Sequence, residues 1–553
     1  MRRHKKRRWS LDRWSWFALA LLLAAGAGRP ALAAGLSADN SQLFFETSAN
    51  PLHPPEAGDQ LGYAVATGDF DGDGVDDLAI GLRNDDQPIG PIADVGQVQI
   101  RFGIVGPGLQ AQGATVKYIW QGGASSVDDP EVGDHFGESL AVGDFDGDGF
   151  DDLAIGIPGE DVGTISNAGA VEVRYGAANR SDALASRRQL FHEDITGVPD
   201  NAGIDDEFGH ALATGDFDGD SFDDLAIAVP LESVGGDTDS GRVFAFYGSA
   251  SGLGVTGVQT LDSDTPGTGT VSFLNQRFGT AIAAADFDQD GFDDLAVGLP
   301  GWWTQQVPGT DMGLVGVLPG TSTGLTGTGS VFFRQGFAGM AESSEDGDLL
   351  GASLAVGRFN ADSFPDLAVG VPGESLSNGS FEIDGAGAVH VLFGSASGVI
   401  ATGSQFWSAN STGVPDEPEV GDGFGFGIVG GDFNGDGIDE LAVGVAFEQT
   451  FRGPEEGDVV VLPGTASGLT GAGSANWNLE TPGILGDMNP GDHLGWCLAV
   501  GNFAGGGGQD LAIGIPNDGN IGGVLVLYGT APFNGFANGF EGGNLTAWSS
   551  HTP

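Results

Sequence analysis

Hydrophobic and polar positions alternate over short stretches along most of the chain, and each stretch ends at glycine, proline, asparagine or aspartate. Residues 139–142 alternate into an acidic segment, and residues 152–157 lead out of it. A third run follows at 169–175 (GAVEVRY), and a weaker fourth run lies at 189–192. Short β-rich runs separated by turn residues predict antiparallel strands, here four in succession.

The acidic segment with the runs on either side of it recurs seven times, on the pattern FG-x-x-(apolar)-A-x-G-D-F-D-G-D-G-x-D-D-L-A-(I/V)-G, at intervals of 70 to 75 residues. A regular period of this length indicates one repeat architecture. Four strands in each of seven periods predict an all-β fold, a seven-bladed β-propeller of four-stranded antiparallel blades. A linear β-solenoid is the alternative, but its repeats are usually shorter, about 20–30 residues. The acidic segments begin at Asp69, Asp144, Asp216, Asp286, Arg358, Asp432 and Asn502.

The two ends of the chain predict how the ring closes. No fourth run follows the seventh copy's third run at 523–528, whereas residues 42–46 (QLFFE) have the character of a fourth run and precede the first copy. We expect this N-terminal strand to complete the last blade, which removes two open sheet edges. The propeller then occupies residues 34–530, and residues 531–553 form a short C-terminal tail that resembles tails of exported bacterial proteins.

The first 33 residues predict a secretory signal. A basic stretch at 1–13 precedes an apolar run at 14–27 and an Ala-Leu-Ala sequence that ends at Ala33. The run is shorter than the roughly 20 residues that a membrane-spanning helix needs. We therefore expect cleavage after Ala33 and a secreted or cell-surface protein with no membrane span. Four N-x-S/T sequons begin at Asn179, Asn378, Asn410 and Asn544. They indicate glycosylation only in a host that has the glycosylation machinery.

Composition narrows the function classes. The 99 glycines among 553 residues indicate many tight turns and exclude a helical bundle, and a hydrophobic content of 40% suffices for a core. Cys497 is the only cysteine, so an internal disulfide is excluded. The net charge is −56, and beyond residue 33 there are 12 basic against 75 acidic residues. Such a surface repels phosphate backbones, which excludes nucleic-acid binding, and it favours divalent cations as counter-ions.

The acidic segments have the chemistry of a calcium site. In the first loop, carboxylates at positions 1, 3, 5 and 9 and the backbone carbonyl at position 7 offer an oxygen cage of the kind that Ca²⁺ takes, whereas Mg²⁺ prefers water-rich octahedra. Glycines at positions 4 and 6 permit the tight backbone. An EF-hand is excluded because position 12 is Ile80, in a strand-like run, where that motif needs Glu. The alternative is that the aspartates form only Asx-turns.

The seven loops differ in completeness. We expect four complete calcium sites and a fifth, altered site in the sixth loop, where Asn434 and Glu440 replace aspartates. Arg358 opens the fifth loop, where we expect its guanidinium to replace the ion, and the seventh loop has lost most of its ligands. The predicted ligands are Asp69, Asp71, Asp73, Val75 and Asp77; Asp144, Asp146, Asp148, Phe150 and Asp152; Asp216, Asp218, Asp220, Phe222 and Asp224; Asp286, Asp288, Asp290, Phe292 and Asp294; and Asp432, Asn434, Asp436, Ile438 and Glu440.

The repeat resembles the FG-GAP repeats of the integrin α-subunit propeller. Its FG element is Phe136-Gly137, Phe208-Gly209, Phe278-Gly279 and Phe424-Gly425, and its GAP element includes Gly156-Ile157-Pro158 and Gly298-Leu299-Pro300. The resemblance implies calcium loops on one face of the ring. It also implies ligand binding through loops on the opposite face, together with a second subunit. Nothing in this chain supplies that subunit, so we expect a monomer and not a heterodimeric receptor.

The sequence predicts an adhesion or interaction module that binds a protein or a glycan. The irregular segments 300–313 and 372–387 are candidate binding loops, and the first contains Trp302 and Trp303, which can equally pack against a neighbouring blade. The alternatives are an extracellular enzyme acting on polysaccharide and a structural part of a surface assembly. We expect no catalytic residue, because the histidines lack metal-ligand spacing and no G-x-S-x-G element lies at a strand-to-helix turn.

Overall fold

The computed structural model describes residues 33–46, 55–86, 92–110, 116–121, 129–185, 187–303, 311–337, 339–377, 381–449 and 455–530. In these ranges the chain forms seven four-stranded antiparallel sheets, which are the seven predicted blades. The predicted signal at 1–33, apart from Ala33, and the predicted tail at 531–553 lie outside them. The seven-bladed all-β prediction is confirmed.

The strands of each blade follow one another in the chain, except in blade 7. Blades 1 to 3 consist of Leu61–Gly68, Asp77–Leu82, Gln97–Arg101 and Lys117–Ile119; Leu140–Gly143, Asp152–Ile157, Ala170–Arg174 and Arg188–Phe191; and Ala211–Gly215, Asp224–Val229, Arg242–Phe246 and Gln259–Leu261. Blades 4 and 5 consist of Ile282–Ala285, Asp294–Leu299, Leu314–Leu318 and Val331–Phe333; and Leu354–Gly357, Asp366–Val371, Ala388–Phe393 and Ile400–Trp407.

Blade 6 consists of Ile428–Gly431, Glu440–Val445, Asp458–Leu462 and Ala475–Trp477, and blade 7 of Leu498–Gly501, Asp510–Ile515, Gly523–Gly529 and Leu36–Phe45. A small extra hairpin, Leu376–Ser377 with Glu382–Ile383, lies in the long connection of blade 5. Two short 3-10 turns complete the description, Ala33–Gly35 and Asp518–Asn520.

The closing strand is longer than predicted. Leu36–Phe45 pairs antiparallel with Gly523–Gly529, and Phe44 lies opposite Val524. The prediction placed this strand at 42–46, because a register irregularity between Ser37 and Gln42 interrupts the sequence pattern. Phe44 is 1% exposed, and the Arg101 guanidinium lies 4.1 Å from its ring centroid. The N-terminal strand therefore completes blade 7, as the sequence predicts.

The core lies between neighbouring blades. The second strand of every blade is buried along its whole length, because each sheet packs against another sheet on both sides. Burial on both faces produces continuous apolar runs in place of alternation. The phenylalanine at position 2 of each acidic loop is fully buried and anchors that loop to the core: Phe70, Phe145, Phe217, Phe287, Phe359, Phe433 and Phe503.

Antiparallel order gives the ring two different faces. The connections between first and second strands, which are the acidic loops, share one face with the connections between third and fourth strands. We call it the aspartate face. The connections between second and third strands share the other face with the links from one blade to the next. We call it the junction face, and it carries both Trp302 and the FG elements.

Candidate metal centres and a candidate ligand pocket

Each acidic loop is held by hydrogen bonds from its own backbone. In the first loop the Asp69 carboxylate accepts the N–H groups of Asp73 at 2.9 Å and Gly74 at 2.8 Å. The same pair of bonds recurs in the loops that begin at Asp144, Asp216, Asp286 and Asp432. These bonds reach four and five residues along the chain, further than the Asx-turns of the alternative interpretation, which the position-5 carboxylates form instead. Apart from Asp216 Oδ1, which also accepts the Gly219 N–H, each position-1 carboxylate oxygen keeps a further lone pair.

The loops gather their carboxylates closely. Oxygens of Asp69, Asp71 and Asp73 lie within 4.8 Å of one another, as do those of Asp144, Asp146 and Asp152 in the second loop. Two oxygens on opposite sides of a calcium ion are about 4.8 Å apart, since each bond is about 2.4 Å. The arrangement therefore fits the size of a calcium ion, and calcium binding by these loops remains a prediction.

At position 7, the residues predicted to offer a carbonyl also donate their N–H groups to the carboxylate at position 5. The Val75 N–H reaches Asp73 at 3.1 Å, and Phe150, Phe222, Phe292 and Ile438 repeat the contact in their own loops. The Phe150 ring also covers Gly72 of blade 1, where a Cβ atom would lie 2.3 Å from the ring. Gly72, at φ +69°, is therefore required by packing between blades as well as by the turn.

The acid at position 9 holds its own blade together. Asp77 accepts the N–H of Phe70 at 3.2 Å with one oxygen and that of Gly103, just after the third strand, at 2.8 Å with the other. The degenerate fifth and seventh loops keep both bonds, through Asp366 and Asp510. Burial, with lesser contributions from neighbouring aspartates, raises the pKa of Asp77 to about 8. Position 9 thus has a structural role that does not depend on metal, beside the ligand role that the sequence predicts.

The acid at position 8 joins each blade to the one before it. Asp151 of blade 2 accepts the N–H of Asp69 at 2.7 Å, and its own N–H donates to the Asp69 carbonyl at 3.3 Å. We call this reciprocal pair the position-8 clasp. It recurs at five further junctions, including the one between blades 7 and 1, through Asp223, Asp293, Asp439, Gln509 and Asp76.

The junction between blades 4 and 5 is the exception. Pro365 occupies position 8 there, and proline has neither an N–H donor nor a side-chain acceptor. A substitute joins the same two loops, because the amide of Gln289 exchanges hydrogen bonds with the backbone carbonyl and the hydroxyl of Ser363. The two adjacent positions of the repeat therefore have different roles. The residue at position 8 hydrogen-bonds to the previous blade, and the acid at position 9 hydrogen-bonds within its own blade.

Arginines enter the first two loops, which the sequence did not indicate. Arg180, from the connection between the third and fourth strands of blade 2, lies 2.6 Å from Asp71 and 2.8 Å from Asp73 of blade 1. Arg187 forms a salt bridge with Asp146 in the second loop. Among the described residues, the third and fourth loops have no such salt bridge. The four complete loops are therefore electrostatically unequal.

The remaining loops are altered in the structure. In the sixth loop the Asn434 amide donates to Glu440 at 2.7 Å, and the other Glu440 oxygen accepts the Phe433 N–H, so the longer side chain is engaged internally. Arg358 is exposed and has no salt bridge to a described carboxylate, so its guanidinium does not take the place of an ion in the fifth loop. Its backbone N–H is bound instead by Asp439 of blade 6.

On the junction face, Trp302 and Trp303 line a cavity of about 540 Å³ at the junction of blades 3 and 4. Trp302 is half-buried against the core, and the Trp303 ring lies 5.5 Å from that of Phe273. The Arg334 guanidinium lies 5.7 Å from the Trp302 ring and 5.1 Å from that of Phe337, and no described carboxylate forms a salt bridge with it. The cavity is thus apolar and aromatic, with one cation at its edge.

A ring of blades with an aspartate loop at the end of each first strand defines the class of this protein. Blades 1 to 6 each match the FG-GAP repeat, and blade 7, whose loop has lost three aspartates, lies outside the matched segments. The chain is an integrin-α-like FG-GAP β-propeller. The matched residues are 61–100, 136–173, 208–246, 278–307, 350–392 and 424–462.

Relatives include integrin chains and an enzyme. Integrin alpha-V of Gallus gallus is 30% identical over 248 residues, which are 44% of this chain and 20% of that protein. Integrin alpha pat-2 of Caenorhabditis briggsae is 29% identical over 43% of this chain and 18% of its own length. Phosphatidylinositol-glycan-specific phospholipase D of Bos taurus is 34% identical over 32% of this chain and 19% of that protein. The chain spans about a fifth of the length of these relatives.

Solved structures with a similar outline have very different sequences. The rhamnogalacturonan lyase YesW has a TM-score of 0.42 and 12% identity, covering 89% of this chain and 76% of its own. The Dos1 propeller has a TM-score of 0.40 and 10% identity, covering 89% of this chain and 97% of its own. Within the described ranges, no helix has the length and hydropathy needed to cross a membrane.

Proposed function

We propose that this chain is an extracellular, calcium-binding interaction module whose ligand, a glycan or a protein, binds the aromatic cavity at the junction of blades 3 and 4. The cavity is the observation that carries the proposal. Ligand sites are typically concave and largely apolar, with a few polar groups that orient the ligand. Trp302, Trp303 and Phe273 supply flat apolar surfaces, and Arg334 supplies one cation.

The position of Trp302 supports a specialised role for this junction. At the same place after the second strand, the other six blades carry an acidic residue: Asp85, Glu160, Glu232, Glu374, Glu448 and Asp518. Only blade 4 replaces the acid with an aromatic residue. In a chain with a net charge of −56, an arginine without a salt bridge to a described carboxylate also favours a ligand that carries an anionic group, such as an acidic sugar.

Capture from a glycan array and from surface extracts tests this site. The mature chain should retain a defined ligand, and the double substitution Trp302→Ala/Trp303→Ala should abolish retention. Phe381→Ala, at a 75% exposed aromatic outside this cavity, is the matched control and should retain the ligand. Retention that survives the double substitution contradicts the site, and turnover of a polysaccharide without stable capture supports an enzyme.

Thermal unfolding of residues 34–553 in EDTA, magnesium or calcium tests the metal part of the proposal. A ligand that binds only the folded state raises stability by RT ln(1 + [L]/Kd). We expect a rise in Tm specific to calcium, which declines stepwise in Asp144→Ala and Asp286→Ala. A Tm that is the same in calcium and in EDTA contradicts calcium binding by the loops.

A further inference from the structure

The junction face contains a second set of acidic residues, far along the chain from the aspartate loops. At each junction between two blades three positions meet. They are the residue just after the fourth strand (the first residue at the junction of blades 7 and 1, the second elsewhere), the acid or amide two residues before the FG element of the next blade, and the third residue after that blade's second strand. In order from junction 1/2 to junction 7/1 they are Gln121, Asp134 and Glu160; Glu193, Asp206 and Glu232; Ser263, Gln276 and Trp302; Gln335, Asp348 and Glu374; Ala409, Asp422 and Glu448; Leu479, Asp492 and Asp518; and Glu46, Asp59 and Asp85.

All three positions are acidic at two junctions only. At junction 2/3 the exposed fractions of Glu193, Asp206 and Glu232 are 1%, 6% and 9%, and their carboxylate oxygens lie within 4.8 Å of one another. No hydrogen-bond donor reaches either Glu193 oxygen, although the side chain is directed at the two other carboxylates. A buried carboxylate without a partner is strongly unfavourable, and three together are more so.

At two other junctions a glutamine takes the place of Glu193, although at junction 1/2 Asp134 and Glu160 also lie within 4.8 Å of the exposed Glu131. At junction 1/2 the Gln121 amide donates a hydrogen bond to Glu160, and at junction 4/5 the Gln335 amide donates to Glu374. Gln121, Gln335 and Glu193 occupy the same position relative to the paired strands. Junction 2/3 has an acceptor where those two junctions have a donor, so it lacks the hydrogen bond that the buried acid receives there.

The nearest arginine does not fill this role. Arg242 lies 3.9 Å from Glu232, but it forms closer salt bridges with Asp200 and with Asp262, the latter at 3.2 Å. The Arg242 guanidinium therefore pairs mainly with carboxylates outside the group formed by Glu193, Asp206 and Glu232. Burial, followed by the charges of Glu232 and Asp206, raises the pKa of Glu193 to about 9, which reflects how little compensation the site receives from the protein alone.

We propose that Glu193, Asp206 and Glu232 bind a calcium ion that joins blades 2 and 3 on the junction face. The donors are all carboxylate oxygens, and three carboxylates offer up to six of them, which suits the six to eight oxygens and flexible geometry of Ca²⁺. One oxygen from each side chain lies within 4.8 Å of the others, which is no more than the span across a calcium ion. The site is distinct from the aspartate loops, which lie on the other face.

The same reasoning applies to junction 7/1. Glu46 is 4% exposed, no hydrogen-bond donor reaches its carboxylate oxygens, and these lie within 4.8 Å of those of Asp59 and Asp85. Glu46 directly follows the closing strand, whereas Asp59 and Asp85 belong to blade 1. A calcium ion here links the strand that closes the ring to the first blade.

Calcium stoichiometry measured by equilibrium dialysis of the full chain tests the proposal, with Glu193→Gln as the decisive variant. This change copies Gln121 and Gln335, so the fold already accommodates it. We expect the variant to bind one calcium ion fewer than the wild type. We also expect a crossover in Tm, with the variant higher in EDTA, where carboxylate repulsion is relieved, and less raised by calcium.

The mirror change, Gln335→Glu, builds a third acidic triad at junction 4/5. It should lower the Tm in EDTA and add one calcium ion per chain. Equal calcium stoichiometry in the wild type and Glu193→Gln overturns the proposal, and if that variant does not fold, an unchanged stoichiometry in Gln335→Glu overturns it. Both results are differences between matched chains, so they hold whether or not the aspartate loops bind calcium.

Discussion

The position-8 clasp makes a quantitative prediction at the junction of blades 1 and 2. Replacing Asp151 with Ala removes the acceptor that binds the Asp69 N–H at 2.7 Å. Hydrogen bonds to charged groups contribute about 1.5–3 kcal/mol, and the N–H that is left without its acceptor adds a desolvation cost. Because Asp69 is only half-buried, water relieves part of that cost. We therefore expect the free energy of unfolding to fall by about 2 kcal/mol.

Urea unfolding in EDTA measures this loss without any contribution from bound metal. The matched control is Asp346→Ala, which removes the same charge from an exposed position and should change the unfolding free energy by less than about 0.5 kcal/mol. Hydrogen exchange of the segment around Asp69 should become faster in Asp151→Ala alone. If both variants unfold at the same urea concentration, the clasp contributes nothing and the reasoning is wrong.

The junction between blades 4 and 5 permits the reverse experiment. Pro365→Asp restores both the N–H donor and the carboxylate at position 8, at the cost of about 0.4–1 kcal/mol of proline rigidity in the unfolded chain. We expect a net gain of about 1 kcal/mol in the free energy of unfolding. A loss of stability would show that the Gln289–Ser363 contact already serves this junction as well as a clasp does.

Three further changes test other parts of the structure. Arg180→Ala should increase the calcium affinity of the first loop about fifteenfold, because it removes one positive charge roughly 5 Å from a doubly charged ion, worth about 1.7 kcal/mol in water. Calcium titration measures this, and an unchanged affinity refutes it. His390 is fully buried, and burial lowers its pKa to about 4. The folded protein therefore favours the neutral imidazole. Its contribution to the free energy of unfolding is complete above pH 6.5, the value in the unfolded chain, and is lost as the pH falls toward 4 and the unfolded chain takes up the proton. His390→Val, which copies Val460 of blade 6, should therefore remove about 3 kcal/mol of acid destabilisation in urea unfolding between pH 6.5 and 4, and parallel pH profiles would contradict this. Phe44→Ala should cost about 3–5 kcal/mol in urea unfolding, and a loss no larger than that of Phe381→Ala would show that the closing strand is weakly held.

The sequence predicts the blades well because their signal is local. Each acidic loop, its buried phenylalanine and the run that follows lie within about twenty residues, so every copy displays them in the same order. The closure is predictable for a related reason, since residues 42–46 match a strand type that is missing at the other end. The length of that strand was underestimated because its irregular first half hides the alternation.

The candidate sites are less predictable because they depend on contacts between blades. Asp151 and Asp152 are adjacent and chemically identical, yet one binds the previous blade and the other its own. Arg180 reaches the first loop from the next repeat. Glu193, Asp206 and Glu232 meet only because the link from blade 2 to blade 3 and the connection between the second and third strands of blade 3 approach each other at one junction. No spacing rule within one repeat relates such residues.

The closing strand has a consequence for the order in which this protein reaches its final form. Leu36 pairs with Gly529, so a strand that precedes blade 1 in the chain finds its partner only after the other six blades. Until the final strand is available, blade 7 is incomplete and the ring has an open seam. Contacts between such distant segments slow the folding of a chain. We therefore expect ring closure to be a late step in folding, and we expect a protease cut within Leu36–Phe45 to reopen the seam.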